Sequence, residues 1–175
     1  SNSKQGTAQR LYYEPLTFAL TRGHLSDGVP LKEHCIPGGV NNFFDAIALA
    51  LAVVGPRVEG VNMDDARMIS AHLRALATEG TGLSATEKGG VAQIEHISRS
   101  LGGLRIHCLS TKPTDDGRNL NELFGHNHGS AGQLGPIWLP CRSGHFNTAI
   151  PYSNTRSVAN RKRCKMLVEQ FKDPS

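Results

Sequence analysis

Residues 39–54 read G-V-N-N-F-F-D-A-I-A-L-A-L-A-V-V, a glycine turn running into a nearly unbroken apolar stretch. Phe43, Ile47, Leu51 and Val54 recur at intervals of three and four, the helical period, and Gly55-Pro56 ends the run. Asn41 or Asn42 stands where a capping side chain is needed. A second helix is expected to begin at Asn62 or Asp64 and end near Gly80, with Met68, Ile69, Ala71, Leu73 and Leu76 on its apolar side. A third is expected over residues 91–101, with Val91, Ile94, Ile97, Ser98 and Leu101 as its buried stripe and Gly102-Gly103 as a left-handed stop. The loop before it carries S-A-T-E at 84–87, a capping-box match.

From residue 104 the period shortens to two. L-R-I-H-C-L at 104–109 alternates as a strand, as does P-I-W-L-P at 136–140. C-R-S-G at 141–144 reads as a tight turn and H-F-N-T-A-I at 145–150 as the partner strand of a hairpin. Residues 29–36 are expected to be extended and 37–39 a turn, whereas 11–25 alternate too weakly to assign. Residues 110–135 are polar and glycine-rich, a long surface loop. Early helices followed by strands on short turns give an α+β class, with helices packed on a small, mostly antiparallel sheet. No G-x-G-x-x-G or Walker motif is present, so a dinucleotide-binding fold is not expected.

The length of 175 residues suits one domain, with 1–10 as a polar lead-in. That lead-in lacks the apolar core of a signal peptide, and the expected location is cytoplasmic. No apolar run approaches the roughly 20 residues that cross a bilayer, so membrane insertion is not expected. Cys35, Cys108, Cys141 and Cys164 are widely spread without a C-x-x-C pair, and are read as reduced thiols. H-N-H at 126–128 has no second ligand pair at supporting spacing, so no metal or cofactor is assigned. The net charge of +4 owes much to residues 156–165, where Arg156, Arg161, Lys162, Arg163 and Lys165 form a candidate basic patch for nucleic acid or an acidic surface. Cys164, Leu167, Val168 and Phe171 recur there at helical spacing. Residues 156–175 are therefore expected to form an amphipathic helix packed on the domain of residues 11–155, with a solvated basic face. No aromatic residue is interleaved with the cations, which argues against a base-stacking platform.

Three stretches, spanning about residues 30 to 152, together resemble one family. Residues 39–51 resemble the D-G-N-C-x-F turn and helix of ovarian-tumour (OTU) cysteine proteases. G-G-V-A-Q-I-E-H-I-S-R-S-L-G-G-L-R-I-H-C-L at 89–109 is similar to that family's W-G-G-x-x-E-L segment, and G-H-F-N-T-A-I at 144–150 to its closing H-Y-N strand. The resemblance implies an OTU-like papain fold. It implies His145 as the base and Asn147 as the residue orienting it, with Phe146 turned the other way into the core. Gly39, Val40 and Asn41 would form the oxyanion turn, Gly39 replacing the family's aspartate. Asn42 falls where the cysteine nucleophile should stand.

An amide cannot give up a proton and attack a carbonyl carbon. The expectation is thus an inactive relative of the deubiquitinases, a protein-binding module for ubiquitin, a ubiquitin-like protein or another protein in the former substrate groove. The alternative is an active cysteine protease cleaving ubiquitin isopeptide bonds, either with a displaced nucleophile at Cys35 or Cys141 or with a cysteine deliberately changed to Asn42. A basic nucleic-acid-binding domain is the third reading.

Overall fold

The structure, a computed structural model, describes residues 31–110 and 128–172. Within them lie four α-helices and one mixed sheet, an α+β arrangement. The elements are β1 (Leu31–His34), α1 (Asn42–Val54), α2 (Ala66–Thr81) and α3 (Ile94–Ser100), then β2 (Leu104–Ser110), β3 (His128–Gly129) and β4 (Leu134–Arg142). The hairpin strands β5 (His145–Phe146) and β6 (Thr148–Pro151) follow, and α4 (Val158–Lys172) closes the described chain. The expected segment 11–25, most of the 110–135 loop and His126 lie outside the described residues.

Helix α1 is the axis of the core. Burial runs around its whole circumference from Asn42 to Leu51, broken by Asp45, because it is enclosed by α2, α4 and strands β4 and β6. A single apolar stripe understates it; a helix hydrophobic all round is an interior helix. Ala46, Ala48 and Ala50 have no side chain beyond Cβ, which lets the neighbouring elements approach closely. Across the interface with the sheet, the Phe43 ring meets Phe146 edge-on at 4.9 Å, and Thr148 Oγ1 donates to Ala46 O at 2.6 Å.

The helix ends differ from expectation where a neighbouring polar residue competes. Asp65, not Asn62 or Asp64, caps α2, its Oδ1 accepting from Met68 N at 3.0 Å. Asn62 instead turns its side chain onto Asp64 N, a local Asx turn. Met68 is 49% exposed, and the buried side of α2 is formed by Ala66, Ile69, Ser70, Leu73 and Ala77. The third helix divides into a 3-10 turn, Val91–Gln93, and α3, leaving Val91 40% exposed while Ile94, Ile97 and Ser98 are buried. Gly102 and Gly103 stop it with φ of 82° and 92°, as the sequence pattern requires. The S-A-T-E stretch makes only half of a capping box: Ser84 N donates to Glu87 Oε1, but Glu87 N donates to the main-chain Ser84 O while the hydroxyl accepts from Thr86 N, in a turn without a helix behind it.

The sheet order is β1-β6-β4-β2-β3, with β5 pairing β4; every pairing is antiparallel except β2 with β4. The parallel pair arises because the chain rounds the start of β2 between β3 and β4. There Ser130 Oγ bridges Ile106 N and Leu104 O, and Leu134 N donates to Gly103 O at 3.0 Å. A Cβ on Gly132 would fall 1.9 Å from Gly103 O, so the crossing needs glycine. Strand β4 starts before Pro136 and runs on through Cys141 and Arg142, so the reversal is confined to Ser143 and Gly144, with φ of 50° and 79°. Positive φ at both central residues matches the twist of a two-residue hairpin. The return strand is interrupted at Asn147, whose N–H donates to Pro140 O at 2.8 Å; Pro140 has no N–H to return.

A Gly132→Ala substitution is expected to destabilise the fold by about 2 kcal/mol or more, since the obstructing atoms are backbone. Gly90→Ala, with open space around its Cβ and an extended φ of −169°, serves as the mild control. Urea denaturation of both variants measures the difference.

Candidate functional site

The site lies where α1 begins. Loop 35–41 leads from β1 into the helix through Gly38 and Gly39, the latter at φ 136°, a conformation that excludes other residues. Asn42 N donates to Gly39 O at 3.2 Å and Asp45 N to Asn41 O at 2.8 Å, closing the first turn. Neither asparagine acts as a side-chain cap. Asn42 points inward and is 1% exposed. Its Nδ2 donates to Phe146 O at 2.9 Å and Pro37 O at 3.1 Å, and its Oδ1 accepts from Phe146 N at 2.7 Å. The helix start is therefore stitched to the main chain of the residue that follows His145.

His145 and Asn147 sit at i and i+2 on the same side, as strand geometry demands, while Phe146 between them enters the core. Asn147 Oδ1 accepts from Ile36 N at 3.0 Å, and its Nδ2 donates to Glu33 Oε2 at 2.8 Å, which fixes the orientation of the amide. The contact of 3.1 Å between His145 Nε2 and Asn147 Oδ1 then has one chemical reading. A carbonyl oxygen only accepts, so Nε2 carries a hydrogen, and in the neutral ring this tautomer leaves the lone pair on Nδ1. The ring lies along Gly38, where an added Cβ would be 3.8 Å from Nδ1. The Nδ1 edge of the His145 ring therefore faces the turn before α1, one residue along the chain from the main chain that the Asn42 amide binds.

Two side chains that the sequence reading did not single out complete the arrangement. Glu33 is 5% exposed, and burial raises its carboxyl pKa while the Asn147 bond opposes the shift. Its signal lay in the strand alternation, since Leu31 and Glu33 share the buried side of β1. Arg74 of α2 binds the turn from outside. Its Nε donates to Asn41 Oδ1 at 2.6 Å, and Nη2 to Val40 O and Glu87 O, each at 2.8 Å. The guanidinium also covers the Phe44 ring at 4.7 Å. An arginine within a helical pattern carries no sequence mark of such a role. In the proposed oxyanion turn of Gly39, Val40 and Asn41, Arg74 holds the carbonyl of Val40 and the side chain of Asn41, and the N–H of Asn42 is engaged by Gly39 O.

Three of the four cysteines, Cys108, Cys141 and Cys164, lack surroundings that would activate a replacement nucleophile. All four are free; burial pushes the thiol of Cys108 up to about 12 and raises Cys141 and Cys164, while Cys35 is exposed on the loop before α1. Thiolate character needs the opposite shift. Nor do the basic residues of α4 form one patch. Arg163 reaches Asp64 and the carbonyls of Ala52 and Met63, Arg161 bonds Thr155 O and Arg156 O and lies with Lys165 along a cleft facing β1, and Lys162 is exposed outside that cleft. Among the described residues there is no cluster of metal ligands and no helix long and apolar enough to cross a membrane.

Removing the Asn42 amide strands two carbonyls and an N–H in the interior, so Asn42→Ala is expected to cost about 2–4 kcal/mol. Asn42→Asp should be at least as damaging, because a carboxylate oxygen would face Pro37 O and Phe146 O; denaturant midpoints above pH 6 compare the two. Asp45, bonded to Ser70 Oγ at 2.6 Å, is raised by burial to about 6, against the pull of Ser70, Arg67 and Arg74. The folded state therefore holds this proton more tightly than the unfolded chain does. Its contribution to stability is present below about pH 4, is lost as pH rises through about 6, and stays lost above. Asp45→Asn should accordingly match the parent near pH 4 and exceed it by about 1–2 kcal/mol at pH 7.5, after allowance for partial exposure, in melts across that range. Set against known proteins, the chain matches no family model, no curated protein and no solved structure.

Proposed function

We propose that this is a catalytically inactive OTU-like domain of papain type, a pseudo-deubiquitinase that binds a protein along its former substrate groove. Ubiquitin or a ubiquitin-like protein is the partner class that the resemblance favours. One observation carries the reading: the amide of Asn42, in the nucleophile's seat at the head of the central helix, is consumed by Phe146 and Pro37, while His145 keeps its orienting contact with Asn147. The positive end of α1 and an imidazole with an open Nδ1 support chemistry only if a thiol stands between them. With an amide there, what remains is a shaped surface: the Gly38–Gly39 turn, Val40 at 47% exposure, and the half-buried His145 ring.

The test combines a ubiquitin probe bearing a C-terminal electrophile, di-ubiquitin chains, and amide NMR of the labelled domain titrated with ubiquitin. We expect no adduct and no cleavage, with shifts centred on residues 38–41 and 145–147. Chain cleavage or labelling at Cys35 or Cys141 would establish the active alternative and remove the pseudoenzyme reading. Shifts confined to residues 156–172 would remove the groove.

A further inference from the structure

On the other side of β1 the chain forms a second cavity. Lys32 and His34 alternate with Leu31 and Glu33 along the strand, so they project away from the Glu33–Asn147 side of the sheet. They meet α4, whose Arg161, Cys164, Lys165, Val168 and Lys172 recur at helical spacing along one face. Between strand and helix lies a cleft of about 360 Å³. Cys164 and Val168 give it an apolar floor, and its walls carry Lys32, Arg161, Lys165 and Lys172. The one carboxylate lining it among the described residues, Glu169, is bonded to Lys172 at 3.2 Å. Three cations are left on one concavity without an acidic partner lining it among the described residues.

We propose that the cleft between β1 and α4 binds a compact, multiply charged anion of the phosphate class. Like charges facing a common space repel, and an anion between them turns that repulsion into attraction. Arg161 is already held in position by the carbonyls of Thr155 and Arg156, so its guanidinium loses little freedom on binding. His34 Nε2 is buried and has no hydrogen-bond partner among the described residues, a polar atom beside the cations left for a ligand oxygen or a bridging water. Burial and the nearby Lys32 hold that imidazole down at about 4, so it stays neutral and adds no further repulsion. The volume is at the lower end of small-molecule sites, which begin at about 300 Å³. Among the described residues the lining has no aromatic side chain for a base to stack on, and Lys162, on the same helix, lies off the cleft, so a compact ligand fits better than a nucleic-acid strand.

The experiment is calorimetric titration of the full chain with pyrophosphate and tripolyphosphate at low salt. We expect saturable one-to-one binding, tighter for tripolyphosphate. Lys32→Glu and Lys165→Glu should each weaken it about tenfold or more, and Lys162→Glu, the same charge change outside the cleft, less than about twofold. Lys32→Gln and Lys165→Gln, milder replacements, should weaken it in the same direction should a reversal fail to fold. Absence of saturable heat with either probe overturns the proposal. So does equal weakening by Lys162→Glu, which would mean diffuse attraction, or binding to long single-stranded RNA without binding to either polyphosphate.

Discussion

The amide of Asn42 joins three pieces of chain formed far apart in sequence: the head of α1, the loop at Pro37 and the return strand at Phe146. Each of these presents main-chain polar groups to a nearly dry interior, and each group needs a partner. An amide carries donor and acceptor at once and meets all of them. A thiol, with one weak donor, could not. The position that would suit a reactive sulfur for its electrostatics is here filled by the side chain best able to satisfy the backbone around it. Reactivity and cohesion are competing uses of the same spot.

Around that joint, polar residues form a layered support. Asn147 holds Ile36 and the imidazole with its oxygen and Glu33 with its nitrogen, so β1, the loop and the hairpin share one side chain. Arg74 does the equivalent on the solvent side, gathering the carbonyls of Val40, Ser84 and Glu87. The same enclosure that gives these bonds their value disfavours charge. It raises Asp45 despite two arginines nearby, and it raises the buried thiols. The protonation of these groups is therefore set more by burial than by the modest net charge of the chain.

Helix α4 divides its cations between two tasks. Arg163 is structural, tying the helix to the end of α1 and the start of α2 together with Gln170, whose amide bonds Ala66 N and Asp64 O. Arg161 and Lys165, one turn apart on another face, are left to line the cleft with β1. A run that reads as a single basic cluster in one dimension becomes an anchor and a charged wall once wound into a helix.

Local pattern alone fixed the identity of most elements. The apolar run at 43–54 had to be an interior helix, Gly102-Gly103 had to stop α3, and the alternation at 104–109 and 145–150 had to be strand, because period and glycine conformation are properties of a few neighbouring residues. The i, i+2 pairing of His145 with Asn147 was legible for the same reason. What the chain could not disclose locally were partners from distant segments. That Asp65 would win the cap, that β2 and β4 would run parallel around Gly132, that Glu33 would stand behind Asn147, and that Arg74 would clamp the turn were decided only when those segments met. A side chain's hydrogen bonds depend on what lies within about 3 Å in space, and sequence order carries that information only for near neighbours.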